Sequence, residues 1–133
     1  MTDDLSITSS QAEGQANVTV FLLSGVLDAA SENILYEQAC QVFDSGVQYL
    51  LLDMQNLTHI SSAGLRVLHS IFKKCTPEGE LEAARESSEP YKSPYFKLAG
   101  ASPDVYHVLN MAGFLHNIPF YPTMETALKS FDN

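Results

Sequence analysis

The sequence predicts a single α/β domain built on one sheet, and three observations carry that expectation. Short apolar or β-branched runs alternate with segments whose apolar residues recur at helical spacing. Residues 47–54 (VQYLLLDM) are nearly continuous in their apolarity, as expected of a strand buried on both faces of a sheet. A chain of 133 residues with 45% hydrophobic and 17% charged content is one domain's worth, able to bury one core and too apolar for general disorder.

The elements follow in order. Residues 5–10 form a first short strand, and SQAEGQAN after it is a polar turn. Residues 18–24 (VTVFLLS) are a β-branched, apolar strand, broken by Gly25-Val26-Leu27-Asp28 on the way to a helix. In that helix Leu35, Ala39, Val42 and Phe43 share a stripe, and Gly46 sits where it would stop. The strand at 47–54 leads through a short polar loop to Ser61 and Ser62, which open a second helix over 62–74. Gly64, Val67, Leu68, Ile71, Phe72 and Cys75 lie on its inner face, and Lys73 and Lys74 complement the C-terminal end of its dipole. Residues 75–94, rich in Pro, Ser and Glu, read as a flexible surface insertion, disordered or partly helical, projecting away from Ser62. A strand resumes at 95–99. Ser102-Pro103 then caps and starts a short helix with Val105, Val108, Leu109 and Ala112 inward and Gly113 at its close. Residues 118–121 form a last strand, and Thr123 caps a final helix with Met124, Ala127, Leu128 and Phe131 inward.

Composition excludes several functions. A formal net charge of −9 disfavours nucleic-acid binding, which needs clustered Lys and Arg, and suits a protein that meets neutral or basic protein surfaces. No apolar run reaches the roughly 18–20 residues that span a bilayer, and MTDDLSITSS lacks the basic start and apolar core of a signal peptide. A cytoplasmic protein with no membrane insertion is therefore expected. Cys40 and Cys75 have no partner at metal-ligand spacing and read as reduced, packed thiols. No phosphate-cradling glycine loop, metal motif or cofactor motif is present in the sequence.

The segment YLLLDMQNLTHISSAGLRVL is the most informative. An apolar strand delivers Ser61 and Ser62 to a helix N-terminus, where outward-pointing N–H groups and the dipole tolerate negative charge. A phosphoryl group there would add about −1.5 to −2 charges with little disturbance to the fold, while a partner surface fitted to a neutral serine would lose affinity. The plain alternative is a capping serine worth about 1 kcal/mol.

These residues resemble the central motif of STAS domains, the family of bacterial anti-sigma-factor antagonists. LSGVLDAA before the segment resembles the family's strand followed by Gly-x-Leu-Asp. FKLAGASPDVYHVLNMAGF and IPFYPTMETALKSF after it resemble the family's late strand, short helix, strand and closing helix. The likeness covers nearly the whole chain, apart from the 75–94 insertion, and residues 1–133 read as one such domain. It implies a mixed sheet of four to five strands with helices packed mainly on one side, and a regulatory protein with no enzymatic activity. It further implies that Ser62 is phosphorylated by a partner that is both serine kinase and anti-sigma factor. The unphosphorylated protein would bind that partner and free the sigma factor, and a serine phosphatase would reset it.

The resemblance places Asp28 beside the serine as a partner contact; capping of the helix beginning near Ser31 is its plain alternative. Ser61, Ala63, Gly64, Leu65 and Arg66 complete the expected partner-binding set. Leu65 reads either as an exposed apolar contact or as a flank of the core, Gly64 as a point of close helix–sheet packing, and Arg66 as solvent-facing. Ser61 stands where the family often has Asp, which leaves Ser61 and Thr58 as fallback phospho-acceptors. Two rivals compete. A nucleophile–base pairing of Ser62 with His59 lacks a Gly-x-Ser-x-Gly elbow, and His69, His107 and His116 suggest no better base. The other rival is a STAS accessory or scaffold subunit, in a lipid-transport or stress-sensing complex, without a phospho-switch.

Overall fold

A computed structural model describes residues 5–12, 17–86 and 91–131, with backbone alone described for Arg85 and Phe114. Five strands form one mixed sheet in the order β1-β2-β3-β4-β5. They are β1 (Ser6–Ala12), β2 (Val18–Leu27), β3 (Tyr49–Ile60), β4 (Phe96–Ala99) and β5 (Phe120–Tyr121). β1 runs antiparallel to β2, and the remaining neighbours are parallel. The parallel pairs are linked by crossovers containing α1 (Glu32–Asp44), α2 (Ser62–Cys75) with α3 (Glu80–Arg85), and α4 (Pro103–Met111). A 3-10 turn over Phe114–His116 and α5 (Met124–Lys129) complete the chain.

The strand period of two sorts the core into unequal layers. Phe21, Leu23, Leu50, Leu52, Met54, Phe96 and Leu98 face the larger layer, where they meet Leu35 and Ala39 of α1, Val67, Leu68 and Ile71 of α2, and Val105 and Leu109 of α4. Val18, Val20, Leu51 and Ala99 point the other way, toward Ala127 and Phe131 around α5. The expected arrangement, with helices mainly on one side, is what the fold shows, and β3 is covered on both faces.

Lys97 lies on the smaller face and is only 6% exposed. Its ammonium donates to Ser130 Oγ (2.9 Å) and O (3.2 Å) and sits 4.2 Å from the centre of the Phe131 ring. Among the described residues no carboxylate is hydrogen-bonded to it, and burial pulls its pKa below the usual lysine value.

Several boundaries differ from expectation. β3 continues past Met54 to Ile60, and β2 past Ser24 to Leu27, so the expected loop is a two-stranded ribbon. β4 pairs only with Leu50–Asp53, so the ribbon stands beyond the sheet proper. Gly25 at φ 105° and the register shifts on either side of it mark irregular pairing where the ribbon begins. α4 ends at Met111, which leaves Ala112 as an exposed cap residue and not part of the inner stripe. The last strand shrinks to two residues, although Ile118 before it is buried.

The 75–94 segment is partly helical. Leu81 packs against the core, and Glu80 accepts from Tyr91 Oη (2.9 Å) and Tyr95 Oη (2.8 Å). Residues 87–90 of that segment lie outside the described residues. Cys40 and Cys75 are free and half-buried. Burial pushes the Cys75 thiol up to about 11, which keeps it protonated and unreactive at neutral pH.

Candidate functional site

The site forms where the β2–β3 ribbon ends and α1 and α2 begin. Leu27 pairs with Ile60 in the last rung, and Ser61 N–H donates to Leu27 O (3.0 Å). The chain then turns at once into α2. Ser61 is the N-cap, with extended φ,ψ of −99° and 178°, and its Oγ accepts from Gly64 N–H at 3.3 Å. Leu65 N–H to Ser61 O (3.0 Å) is the first helical bond. Capping by Ser62, the plain alternative considered from the sequence, therefore gives way by one position: Ser61 caps, and Ser62 is the first helical residue.

Ser62 is exposed, and its hydroxyl makes no hydrogen bond among the described residues. The two fallback acceptors differ from it. Ser61 Oγ is engaged in the cap, and Thr58 Oγ1 donates across the ribbon to Gly25 O (2.9 Å). Of the three hydroxyls at this junction, Ser62 alone needs to break nothing in order to react. His59 is exposed and makes no hydrogen bond to Ser62, so the nucleophile–base pairing has no contact behind it.

Gly64 explains how tightly the junction closes. A Cβ on it would stand 2.7 Å from Leu27 O, 2.7 Å from Ile60 Cγ1 and 3.0 Å from Leu27 Cγ. The missing side chain lets α2 seat on the end of β2, the packing role anticipated for this glycine. Ala63 and Gly64 are both buried, so of the expected partner-binding residues these two turn inward. Leu65 is half-buried and packs on the core, so it flanks the core while keeping part of its side chain at the surface.

Asp28 lies on the neighbouring loop, immediately after Leu27. Its Oδ1 accepts from Ala30 N–H (3.1 Å) and lies 3.2 Å from Ser31 Oγ; Ser31 Oγ in turn accepts from Asp28 N–H (3.0 Å) and donates to Val26 O at 3.0 Å. Ser31 is buried at the N-cap position of α1 but makes no side-chain cap bond. Asp28 thus shapes the turn into α1 and leaves one carboxylate oxygen without a protein hydrogen bond among the described residues.

Arg66 faces solvent as expected, and its Nη2 lies 3.5 Å from Glu32 Oε1 on α1. Sequence reading missed Glu32. Its one available signal was its place as an acid in the first turn of a helix, and no local spacing links it to a residue 34 positions away.

Among the described residues no cluster of three or more His, Cys, Asp or Glu is arranged to hold a metal ion. No helix among them is long and apolar enough to cross a membrane.

The STAS domain family matches residues 9–81, more than half of the chain. BtrV of Bordetella bronchiseptica, which bears the name of an anti-sigma factor antagonist, is 30% identical over 129 residues, 96% of this chain and 95% of its own. The crystal structure of an anti-sigma factor antagonist from Mycobacterium paratuberculosis superposes with a TM-score of 0.73 at 21% identity, covering 96% of each chain. SpoIIAA, a Bacillus cell fate determinant, superposes in its unphosphorylated form with a TM-score of 0.66, covering 93% of this chain and 94% of its own. Its phosphorylated form gives 0.61, covering 93% and 97%, both at 16% identity. At such identities the solved structures speak to the fold alone. The sequence matches reach further, and by them the chain belongs to the STAS domain family.

Proposed function

We propose that this protein is an anti-sigma-factor antagonist whose partner is a serine-kinase-type anti-sigma factor, and that phosphorylation of Ser62 switches the interaction off. In the unphosphorylated state it binds that partner and frees the sigma factor; a serine phosphatase restores binding. The protein works in the cytoplasm, has no catalytic role of its own and needs no cofactor.

The observation that carries the proposal is the free hydroxyl of Ser62, exposed at the first position of α2 beside two hydroxyls already committed to holding the junction. A phosphoryl group on Ser62 meets a helix N-terminus, where a dianion is tolerated, and leaves the cap on Ser61 in place. The match to BtrV, named as an anti-sigma factor antagonist, supports an anti-sigma factor as the partner. SpoIIAA, solved in unphosphorylated and phosphorylated forms, shares the fold of this chain in both, which supports a switch that spares the scaffold. Asp28, Ser61, Leu65 and Arg66 frame the partner-facing surface around Ser62, with Ala63 and Gly64 supporting it from below.

The test is incubation with the cognate kinase and ATP, followed by mass-spectrometric mapping. Phosphate on Ser62 is expected. Its absence from residues 58–62 with an active kinase overturns the proposal. Ser62→Ala binds the partner constitutively, whereas Ser62→Asp stays folded and binds more weakly. Equal binding by the two variants would place the interface elsewhere.

A further inference from the structure

We infer that Arg66 receives a phosphate placed on Ser62, giving up Glu32 to do so, and that the Arg66–Glu32 pair is a clasp between α1 and α2 opened by modification. This rests on Ser62 being the phospho-acceptor and adds the regulation of that site.

Three observations carry it. Ser62 and Arg66 are four residues apart on α2 and so are neighbours on one helix face. Helical side chains lean toward the N-terminus and cover the preceding turn, so the Arg66 side chain extends over the turn that begins with Ser62. In the unmodified protein its guanidinium reaches Glu32 through a single contact of 3.5 Å, with side-chain exposures of 65% and 26%. A single contact of that length, with the arginine side exposed to solvent, is weakly held and easily exchanged. Finally, no Lys or Arg precedes Arg66 in the sequence. The next two, Lys73 and Lys74, lie in the last turn of α2, and Lys74 is paired with Asp44 at 3.0 Å. Among the described residues, Arg66 is the cation within reach at the end of the fold that presents Ser62.

The competition is unequal. A phosphoserine offers three acceptor oxygens and nearly twice the charge of a carboxylate, and a guanidinium matches it with two parallel N–H donors. The phosphate also sits on the same helix, so little is lost in bringing the pair together. Glu32 is released at the start of α1, next to the new dianion and close in sequence to Asp28. A docking partner then meets two changes, an added phosphate and an uncovered carboxylate.

The test uses full-length protein with phosphoserine incorporated at position 62 during translation, so that no kinase is needed, and follows the phosphate by phosphorus NMR. Arg66→Ala should raise the second ionisation of the phosphate by roughly half a pH unit, about a threefold change in proton affinity. Glu32→Gln, which removes the competitor and leaves Arg66 intact, should lower it by a few tenths of a unit. Arg66→Lys should fall between wild type and Arg66→Ala. Titrations of wild type and Arg66→Ala that agree within about 0.1 unit overturn the inference, as does a Glu32→Gln phosphate that titrates above wild type. Failure of the kinase to modify Ser62 is a separate result: it removes the phospho-acceptor proposal and leaves the phosphorus titration readable.

Discussion

Two adjacent serines are expected to respond differently to the same substitution. Ser61→Ala removes the Oγ that accepts from Gly64 N–H, leaving one orphan donor in the first turn of α2. Cap losses cost about 0.5–2 kcal/mol. At 3.3 Å and half-buried, this bond belongs at the lower end, about 0.5–1 kcal/mol. With 133 residues at about 2.1 cal/mol/K each, the unfolding entropy is about 0.28 kcal/mol/K, so the melting temperature should fall by roughly 2–4 °C. Ser62→Ala removes a hydroxyl with no hydrogen bond among the described residues and installs a better helix former, so its change should stay within about 0.5 kcal/mol, or roughly 2 °C. Urea and thermal unfolding at pH 7, with unchanged m-values, measure both. A Ser62→Ala loss equal to or larger than that of Ser61→Ala would mean that Ser62 supplies the cap, and the free-hydroxyl basis of the switch would fall with it.

Gly64→Ala should lower stability by about 1–2 kcal/mol despite the better helix propensity of alanine, because the new methyl meets the backbone oxygen of Leu27 at 2.7 Å; a midpoint in urea equal to wild type would show that α2 can shift freely. Glu80→Gln should bring Tyr95, held up to about 12 first by its hydrogen bond to Glu80 and then by burial, back toward 10, read by ultraviolet titration of the phenol. Because the folded phenol keeps its proton longer than the unfolded one, its contribution to stability is present below pH about 10 and is lost as pH rises toward about 12. Glu80→Gln should flatten that loss, and an unchanged alkaline unfolding profile would contradict it. Lys97→Met should leave stability at pH 7 unchanged or raised by up to roughly 1 kcal/mol, since it removes a buried ammonium with no carboxylate partner among the described residues; a drop of several kcal/mol in urea unfolding would instead make the Ser130 bonds essential.

The sequence revealed the layers of this fold more readily than its edges. The inner stripe of α2 was readable because Gly64, Val67, Leu68, Ile71 and Phe72 repeat at helical spacing against one core, and all five are buried. The ends of β2 and β3 were not. Along Gln55–Ile60 only Leu57 and Ile60 are buried, and past the reach of β4 the ribbon has one neighbour in place of two, so the apolar pattern that marks a central strand fades while pairing continues. The exchange of roles between Ser61 and Ser62 had a different origin. Either serine can cap, and a boundary of one residue is set by the Ser61 N–H bond to Leu27 O, a contact between segments 34 residues apart. Glu32 and the Tyr91–Glu80–Tyr95 bridge escaped notice for the same reason, since each owes its role to a partner brought close by folding alone.

That dependence on distant partners bears on how a modification at Ser62 can act. The junction has little slack: Ser61 N–H holds the end of β2, Gly64 rests on the carbonyl of Leu27 with no room for a methyl, and the residue after Leu27 is Asp28, whose carboxylate fixes the turn into α1. Relaying a phosphate through the backbone here would require breaking close contacts at buried positions, whereas redistributing charge over the exposed side chains of Ser62 and Arg66 and the half-buried Glu32 requires exchanging one weak ion pair. The cheaper route lies at the surface. A phosphorylated chain should therefore unfold at nearly the same denaturant concentration as the unmodified one while losing its partner. The size of that loss should depend on residues 32 and 66, and should be insensitive to changes in the core beneath α2 that leave the fold intact.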